Sequence, residues 1–301
     1  MIISIASGKG GTGKTTVATN LAVSLETGGT GKTTIATNLA VSLGTGVQLL
    51  DCDVEEPNCH LFLNPVIHEK ETAYTPVPKI DEAKCTLCRK CVEICRFRAI
   101  MVIGKTVLTF PELCHGCGGC MAVCPEKAIS ETGRELGVVE KGTVDDLHFA
   151  HGIIRVGEAM SPPLIRKVRS LTQPETITII DAPPGTSCPV ITAMKGADFV
   201  LLVTEPTPFG LHDLRLAVEA VKILKIPAGL VINRCDIGDP GVREYAKQEN
   251  LPVLMEIPFD RKIAESYSRG KLIVEAMPEW RKNFLKLYRD IEKIVRQGGA
   301  N

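Results

Sequence analysis

Eight of the twelve cysteines fall between Cys85 and Cys124, in two runs of one spacing. Cys85, Cys88, Cys91 and Cys95 follow C-x-x-C-x-x-C-x-x-x-C. Cys114, Cys117, Cys120 and Cys124 repeat that pattern and lead into Pro125. Thiolates this close along a chain wrap one iron–sulfur cube, and the fourth cysteine of each run ligates the other cube. The spacing therefore predicts two [4Fe–4S] clusters. Cys85, Cys88, Cys91 and Cys124 would hold the first, and Cys114, Cys117, Cys120 and Cys95 the second. Structural zinc usually draws four ligands from pairs of C-x-x-C, and disulfide frameworks belong to small secreted domains; both fit this pattern less well. The two halves also match outside the cysteines, with Arg98-Ala99-Ile100 answering Lys127-Ala128-Ile129. One departure is Arg96, which follows Cys95 where proline follows Cys124. It predicts a looser turn there, and Arg96 with Arg98 would raise the nearby cluster's potential.

A second constellation lies at the N-terminus. Gly8-Lys9-Gly10-Gly11-Thr12-Gly13-Lys14-Thr15, followed by Thr16, fits G-x-x-x-x-G-K-[ST] between an apolar run and a helical pattern. Glycines let successive N–H groups turn toward phosphates, and the helix N-terminus adds its positive end. In such a loop Lys14 reaches the β- and γ-phosphates and Thr15 offers its hydroxyl to Mg²⁺.

The motif occurs twice. Residues 10–27 recur at 28–45 with two changes, Val17 to Ile35 and Glu26 to Gly44. Eighteen residues make five helical turns, so the copy keeps helical phase. The second copy has Glu26 and Thr27 where the first has Gly8 and Lys9, and a carboxylate there would oppose a triphosphate. The nucleotide is therefore expected on the first copy. Against this, the second copy stands at the ordinary short distance from Asp51, and Leu21–Leu25 could then serve as its strand.

The sequence GKGGTGKTT resembles the deviant Walker A group of P-loop ATPases, which includes MinD, ParA, Mrp and the nitrogenase iron protein. The resemblance implies that Lys9 acts across an ATP-bridged homodimer. LLDCDVEEPN (49–58) is similar to the group's switch I, which implies Asp53 as the residue orienting water, with Asp51 near Mg²⁺. IIDAPPGTS (179–187) resembles Walker B and switch II, with Asp181 holding Mg²⁺. VINR (231–234) resembles the adenine-contacting segment and nominates Asn233 and Arg234, and IPFDRKIAES (257–266) the segment closing over the base. Lys9, Lys14 and Asp53 are thus the expected catalytic residues. The cysteine module resembles a bacterial-type ferredoxin.

These residues need a frame to position them. The runs at 2–7, 47–53, 175–181, 198–204, 228–233 and 252–258 are short and apolar, with helical patterns such as 210–225 and 241–250 between several of them. Alternation of this kind predicts an α/β fold, a mostly parallel P-loop NTPase sheet covered on both faces. The cysteine stretch interrupts it, predicting an inserted α+β ferredoxin domain at 79–133 between ATPase segments 1–78 and 134–301. The last helix, 278–297, aligns Trp280, Phe284, Leu287, Ile291 and Ile294 on one face, which is expected to pack on the domain.

Lys+Arg and Asp+Glu both number 35 and aromatics are 4%, which argues against nucleic acid as a partner. The N-terminus reads as a buried strand rather than a signal peptide, and no run approaches the ~18 apolar residues of a membrane span. A cytoplasmic protein without stable membrane insertion is expected. The leading expectation is an ATPase using ATP and Mg²⁺ to govern electron transfer through two [4Fe–4S] clusters, with a redox or iron–sulfur partner. An Mrp-type cluster carrier and a MinD/ParA-like positioning ATPase are the alternatives. Carriers of the Mrp type hold a labile cluster on a C-x-x-C pair, and none lies outside the module.

Overall fold

The structure, a computed structural model, describes residues 1–8 and 31–298. In chain order it contains β1 (Ile2–Ala6), α1 (Lys32–Leu43), β2 (Val47–Asp51), the short α2 (Cys59–Leu63) and the long β3 (Val66–Ile80). Next come α3 (Lys90–Ile94), β4 (Ile100–Ile103), β5 (Thr106–Thr109), α4 (Gly119–Ala122), β6 (Ile129–Val144) and β7 (Leu147–Ile154). The remainder alternates strictly at first: α5 (Pro162–Arg169), β8 (Ile177–Asp181), α6 (Cys188–Met194), β9 (Phe199–Thr204), α7 (Pro208–Leu224), β10 (Ala228–Asn233), α8 (Gly241–Gln248) and β11 (Val253–Ile257). It closes with α9 (Arg261–Ser268), α10 (Ile273–Ala276) and α11 (Arg281–Gly298).

Nine strands form one sheet in the order β11-β10-β9-β1-β8-β2-β7-β6-β3. The pairs β10–β11, β9–β10, β1–β9, β1–β8, β2–β8 and β2–β7 are all parallel. Parallel strands need crossovers, which put helices on the sheet faces and bury the strands on both sides. Hence β2 and β9 are buried along their whole length, and β9 reads as a continuous apolar run from Phe199 to Val203. The mostly parallel α/β fold expected from the sequence is the one observed. β4 and β5 pair antiparallel in a separate small sheet.

The order of the central strands creates the site. β1 lies between β8 and β9, so the chain leaving β1 must cross β8 before it reaches β2. Strand order reverses there, and such a crevice at the carboxyl ends is where open α/β sheets take ligands.

Helix α1 comes from the second copy of the repeat, while β1 precedes the first. Ile35, Ala36, Leu39 and Ala40 are buried in the core beneath it. Gly31 caps its start at φ 88° and Gly44 its end at φ 79°, conformations that cost a residue bearing a Cβ. In α11, Phe284, Leu287 and Ile291 are buried, with Trp280 and Ile294 packed at the margin. The expected stripe faces the core.

The chain divides into two compact units. One is Met1–Lys70 with Val139–Ile153 and Ile165–Asn301; the other is Glu71–Val138 with Ile154–Leu164. The second unit contains the whole cysteine segment and extends beyond 79–133 at both ends.

Candidate functional site

At the carboxyl edge of the central strands the second copy meets the Walker B segment. The Lys32 ammonium, buried at the first turn of α1, donates to the Ala182 carbonyl at 2.7 Å. Beside it Thr33 Oγ1 donates to Asp181 Oδ2 at 2.6 Å. Asp181 ends β8 and is fully buried, yet its Oδ1 has no hydrogen-bond partner among the described residues. A buried oxygen left without a donor is costly, and a cation is the natural partner for one on a carboxylate. With the Thr33 hydroxyl alongside, these residues fit Mg²⁺.

Asp51 and Asp53 lie on the neighbouring strand end. Asp51 Oδ1 accepts the amide of Asp53, and its Oδ2 accepts those of Asn58 and Cys59, all at 3.0 Å. Asp51 thus shapes the loop from β2 to α2 and holds Asp53 in place. Burial, reinforced by Asp181, pushes the Asp51 carboxyl up to about 7. Burial also pushes Asp53 up to about 6, opposed by the Lys32 charge. Asp53 is only half-buried, so of the two it is better placed to meet a reacting water.

Asn233 and Arg234 follow at the end of β10. A Cβ on Gly31 would lie 2.9 Å from Asn233 Nδ2, so the glycine lets the start of α1 approach this segment. Arg234 stands 3.7 Å from Glu205 and 5.9 Å from the Phe259 ring centroid, which connects it to the segment at 257–266.

Of the first copy, only Gly8 is described. It runs against α7, where a Cβ would collide with the Asp213 carbonyl. Lys9, Gly10, Gly11, Thr12, Gly13, Lys14, Thr15 and Thr16, on which the first-copy expectation rests, lie outside the described residues. Among the described residues, the lysine and threonine beside Asp181 are Lys32 and Thr33.

The cysteine segment surrounds two cavities. Cys85, Cys88, Cys91 and Cys124 line one, with Ile80, Val102, Val107 and Ile129 as its apolar wall. Cys95, Cys114, Cys117 and Cys120 line the other, with Val77, Ile94, Phe97 and Ile100. These are the two sets that the spacing assigned. None of the eight is in a disulfide. Burial pushes the Cys91 and Cys120 thiols up, at equivalent places in the two runs.

The halves repeat in backbone conformation. Leu87 and Gly116 take φ 58° and 63°, Arg89 and Gly118 take 63° and 71°, and Arg98 and Lys127 take 54° and 49°. The first half therefore places leucine and arginine in left-handed positions that glycine fills in the second. The turn after Cys95 closes as the turn after Cys124 does: the amides of Ala99 and Ala128 each donate to the cysteine sulfur four residues back, at 3.3 Å. Arg96 does not open it. The His115 ring stacks on Phe97 at 3.5 Å beside the second cavity.

Residues 26–273 match the CobQ/CobB/MinD/ParA nucleotide binding domain. The chain belongs to this family. The match of this MinD/ParA-type chain begins at Glu26, two residues before the second copy, and leaves out the first P-loop. An uncharacterized protein of Methanocaldococcus jannaschii is 29% identical over 300 residues, covering 99% of this chain and 96% of its own length. An iron-sulfur cluster carrier protein of Pyrococcus abyssi is 25% identical over 288 residues, covering 90% and 78%. Among solved structures, the septum site-determining protein MinD of Pyrococcus horikoshii, complexed with Mg-ADP, superposes with a TM-score of 0.56 at 22% identity, covering 98% of this chain and 96% of that one. The fold is MinD-like.

Sequence reasoning passed over one residue of this MinD/ParA-type site. Cys59 belongs to no spaced motif. It is buried at the start of α2, with its sulfur 3.4 Å from Asp181 Oδ2. Among the described residues no helix is long and apolar enough to cross a membrane.

Proposed function

We propose that this chain is an ATP-hydrolysing iron–sulfur protein whose nucleotide state governs electron transfer through two [4Fe–4S] clusters. What carries the reading is the presence, in one chain, of the Lys32–Thr33–Asp181 constellation and of two cavities each lined by four free thiols.

In this proposal the second copy supplies the phosphate contacts. Lys32 exchanges the Ala182 carbonyl for phosphate oxygens, and the N–H groups at the start of α1 face the same charge. Thr33 and Asp181 hold Mg²⁺, which supplies positive charge to the phosphates. Asp53 orients the attacking water, and Asp51 fixes Asp53 through its backbone amide. Asn233 and Arg234 contact the base. A homodimer forms on ATP, as the family resemblance implies; Lys9, expected to act across it, belongs to the first copy, and Thr27 stands at its place in the second. In the module, Cys85, Cys88, Cys91 and Cys124 hold one cluster, and Cys95, Cys114, Cys117 and Cys120 the other. Bound there, the clusters would carry single electrons. Four protein thiolates per cube leave no open iron position, which suits electron transfer better than release.

Anaerobically prepared protein with reduced clusters tests the reading. ATP should change their potential or their rate of oxidation. If neither moves while ATP binds, the coupling is absent. The name of the Pyrococcus abyssi relative favours a second reading, a cluster carrier. Quantitative transfer of a cluster to an apo-ferredoxin would support it over the first.

A further inference from the structure

Cys59 stands apart from both cysteine runs, at the point where two carboxylates meet. Its amide donates to Asp51 Oδ2 at 3.0 Å, and its thiol lies 3.4 Å from Asp181 Oδ2. One ligand atom each from Asp51, Cys59 and Asp181 falls within a 4.8 Å group, and all three residues are buried. A second observation points to a ligand. Asp181 Oδ1 is buried and has no hydrogen-bond partner among the described residues, although the other oxygen of that carboxylate serves both Thr33 and Cys59.

The donor set decides the class of ion. Mg²⁺ demands oxygen ligands at about 2.0–2.1 Å and keeps several waters. Thiolate sulfur selects softer ions, and zinc accepts sulfur at about 2.3 Å together with carboxylate oxygen at about 2.0 Å. Those bonds in a tetrahedron put sulfur and oxygen roughly 3.5 Å apart. The Cys59–Asp181 separation already has that value. Two carboxylates and one thiolate would leave a fourth position for water, the arrangement of an open zinc site.

We infer that Asp51, Cys59 and Asp181 form a binding site for one thiophilic divalent cation of the zinc class, distinct in donor set from the Mg²⁺ site but sharing Asp181 with it. When the ion enters, a metal–sulfur bond replaces the S–H bond and the proton leaves to solvent; nothing is oxidised or reduced. Because Asp181 cannot serve both ions in full, the cation competes with Mg²⁺. That competition rests on the nucleotide reading above; the binding does not.

The full chain with its module clusters loaded is titrated with Cd²⁺ without nucleotide, so that the eight module thiols are already occupied. The wild type should bind one additional equivalent, with a cadmium-113 resonance in the range of mixed oxygen and sulfur ligands. Cys59→Ser should lose that resonance. Its affinity should fall by more than the ~10–100-fold that loss of an outer-shell partner costs. Asp51→Asn should weaken binding while keeping the sulfur signature. Equal Cd²⁺ binding by the wild type and Cys59→Ser, with both folded by circular dichroism, overturns the site. A separate arm adds MgATP. Cd²⁺ that binds through Cys59 but leaves MgATP binding untouched sinks the competition, and with it the role of Asp181 toward Mg²⁺, while the site stands.

Discussion

Thr33 Oγ1 and Asp181 Oδ2 are joined at 2.6 Å across 148 positions of sequence. The bond ties the second copy of the repeat to the strand end that resembles Walker B, and Lys32 reaches the Ala182 carbonyl one residue further on. Lys32→Ala should therefore weaken MgATP binding by about tenfold or more, the scale of lost hydrogen bonds to a charged group. Lys14→Ala should bind like the wild type. Titration with a fluorescent ATP analogue checks both, and the reverse ranking would return the nucleotide to the first copy.

Asp53 is half-buried and held by Asp51, with its carboxyl raised to about 6 by burial. If it orients water, Asp53→Ala should lower hydrolysis roughly a hundredfold, within the range for a positioned acid or base. The phosphate contacts would be untouched, so ATP affinity should stay within about threefold, since no hydrogen bond to charge is lost. An ATP-bound dimer should accumulate on size-exclusion chromatography. Normal hydrolysis, or a variant that stays monomeric with ATP bound, removes Asp53 from this role.

The parallel sheet was legible because its signal is local: short apolar runs such as Phe199–Thr204 alternate with helical periods. The grouping of the thiols was legible for the same reason, since fixed spacing decides which sulfurs one loop can bring together. The link between β1 and α1 was not: read along the sequence, strand, loop and helix form one block of one copy. The structure takes β1 from before the first copy and α1 from the second, and joins α1 to residues more than a hundred positions away. Cys59 was hidden likewise. Its partners Asp51 and Asp181 sit on two strands that only the sheet makes neighbours, at the Asp51–Asp181 register position.

The module makes a quantitative prediction. Anaerobically purified protein should hold about eight iron and eight sulfide per chain if both cubes assemble. Cys88→Ala and Cys117→Ala each remove a thiol from a different cavity. Each variant should lose up to half of the iron, and the spectrum of the cluster that remains should differ between them. Stoichiometric zinc without acid-labile sulfide would end the cluster assignment.

The last prediction concerns the stability of α1, which residues of the second copy form. The copies differ at two places, and both matter in α1. Ile35 is buried in the core, where the first copy has Val17. Gly44 ends the helix at φ 79° and ψ −119°, where the first copy has Glu26. No atom lies within 4 Å of a Cβ built on Gly44, so the cost of a side chain there is conformational rather than steric. Ile35→Val should cost about 1 kcal/mol through one lost methylene. Gly44→Glu should cost about 1–3 kcal/mol through a backbone region that residues with a Cβ avoid. The positions are nine apart with no shared partner, so the double variant should lose close to the sum. Denaturant midpoints at unchanged m-value measure all three. If Gly44→Glu is as stable as the wild type, the backbone at position 44 does not constrain the end of α1.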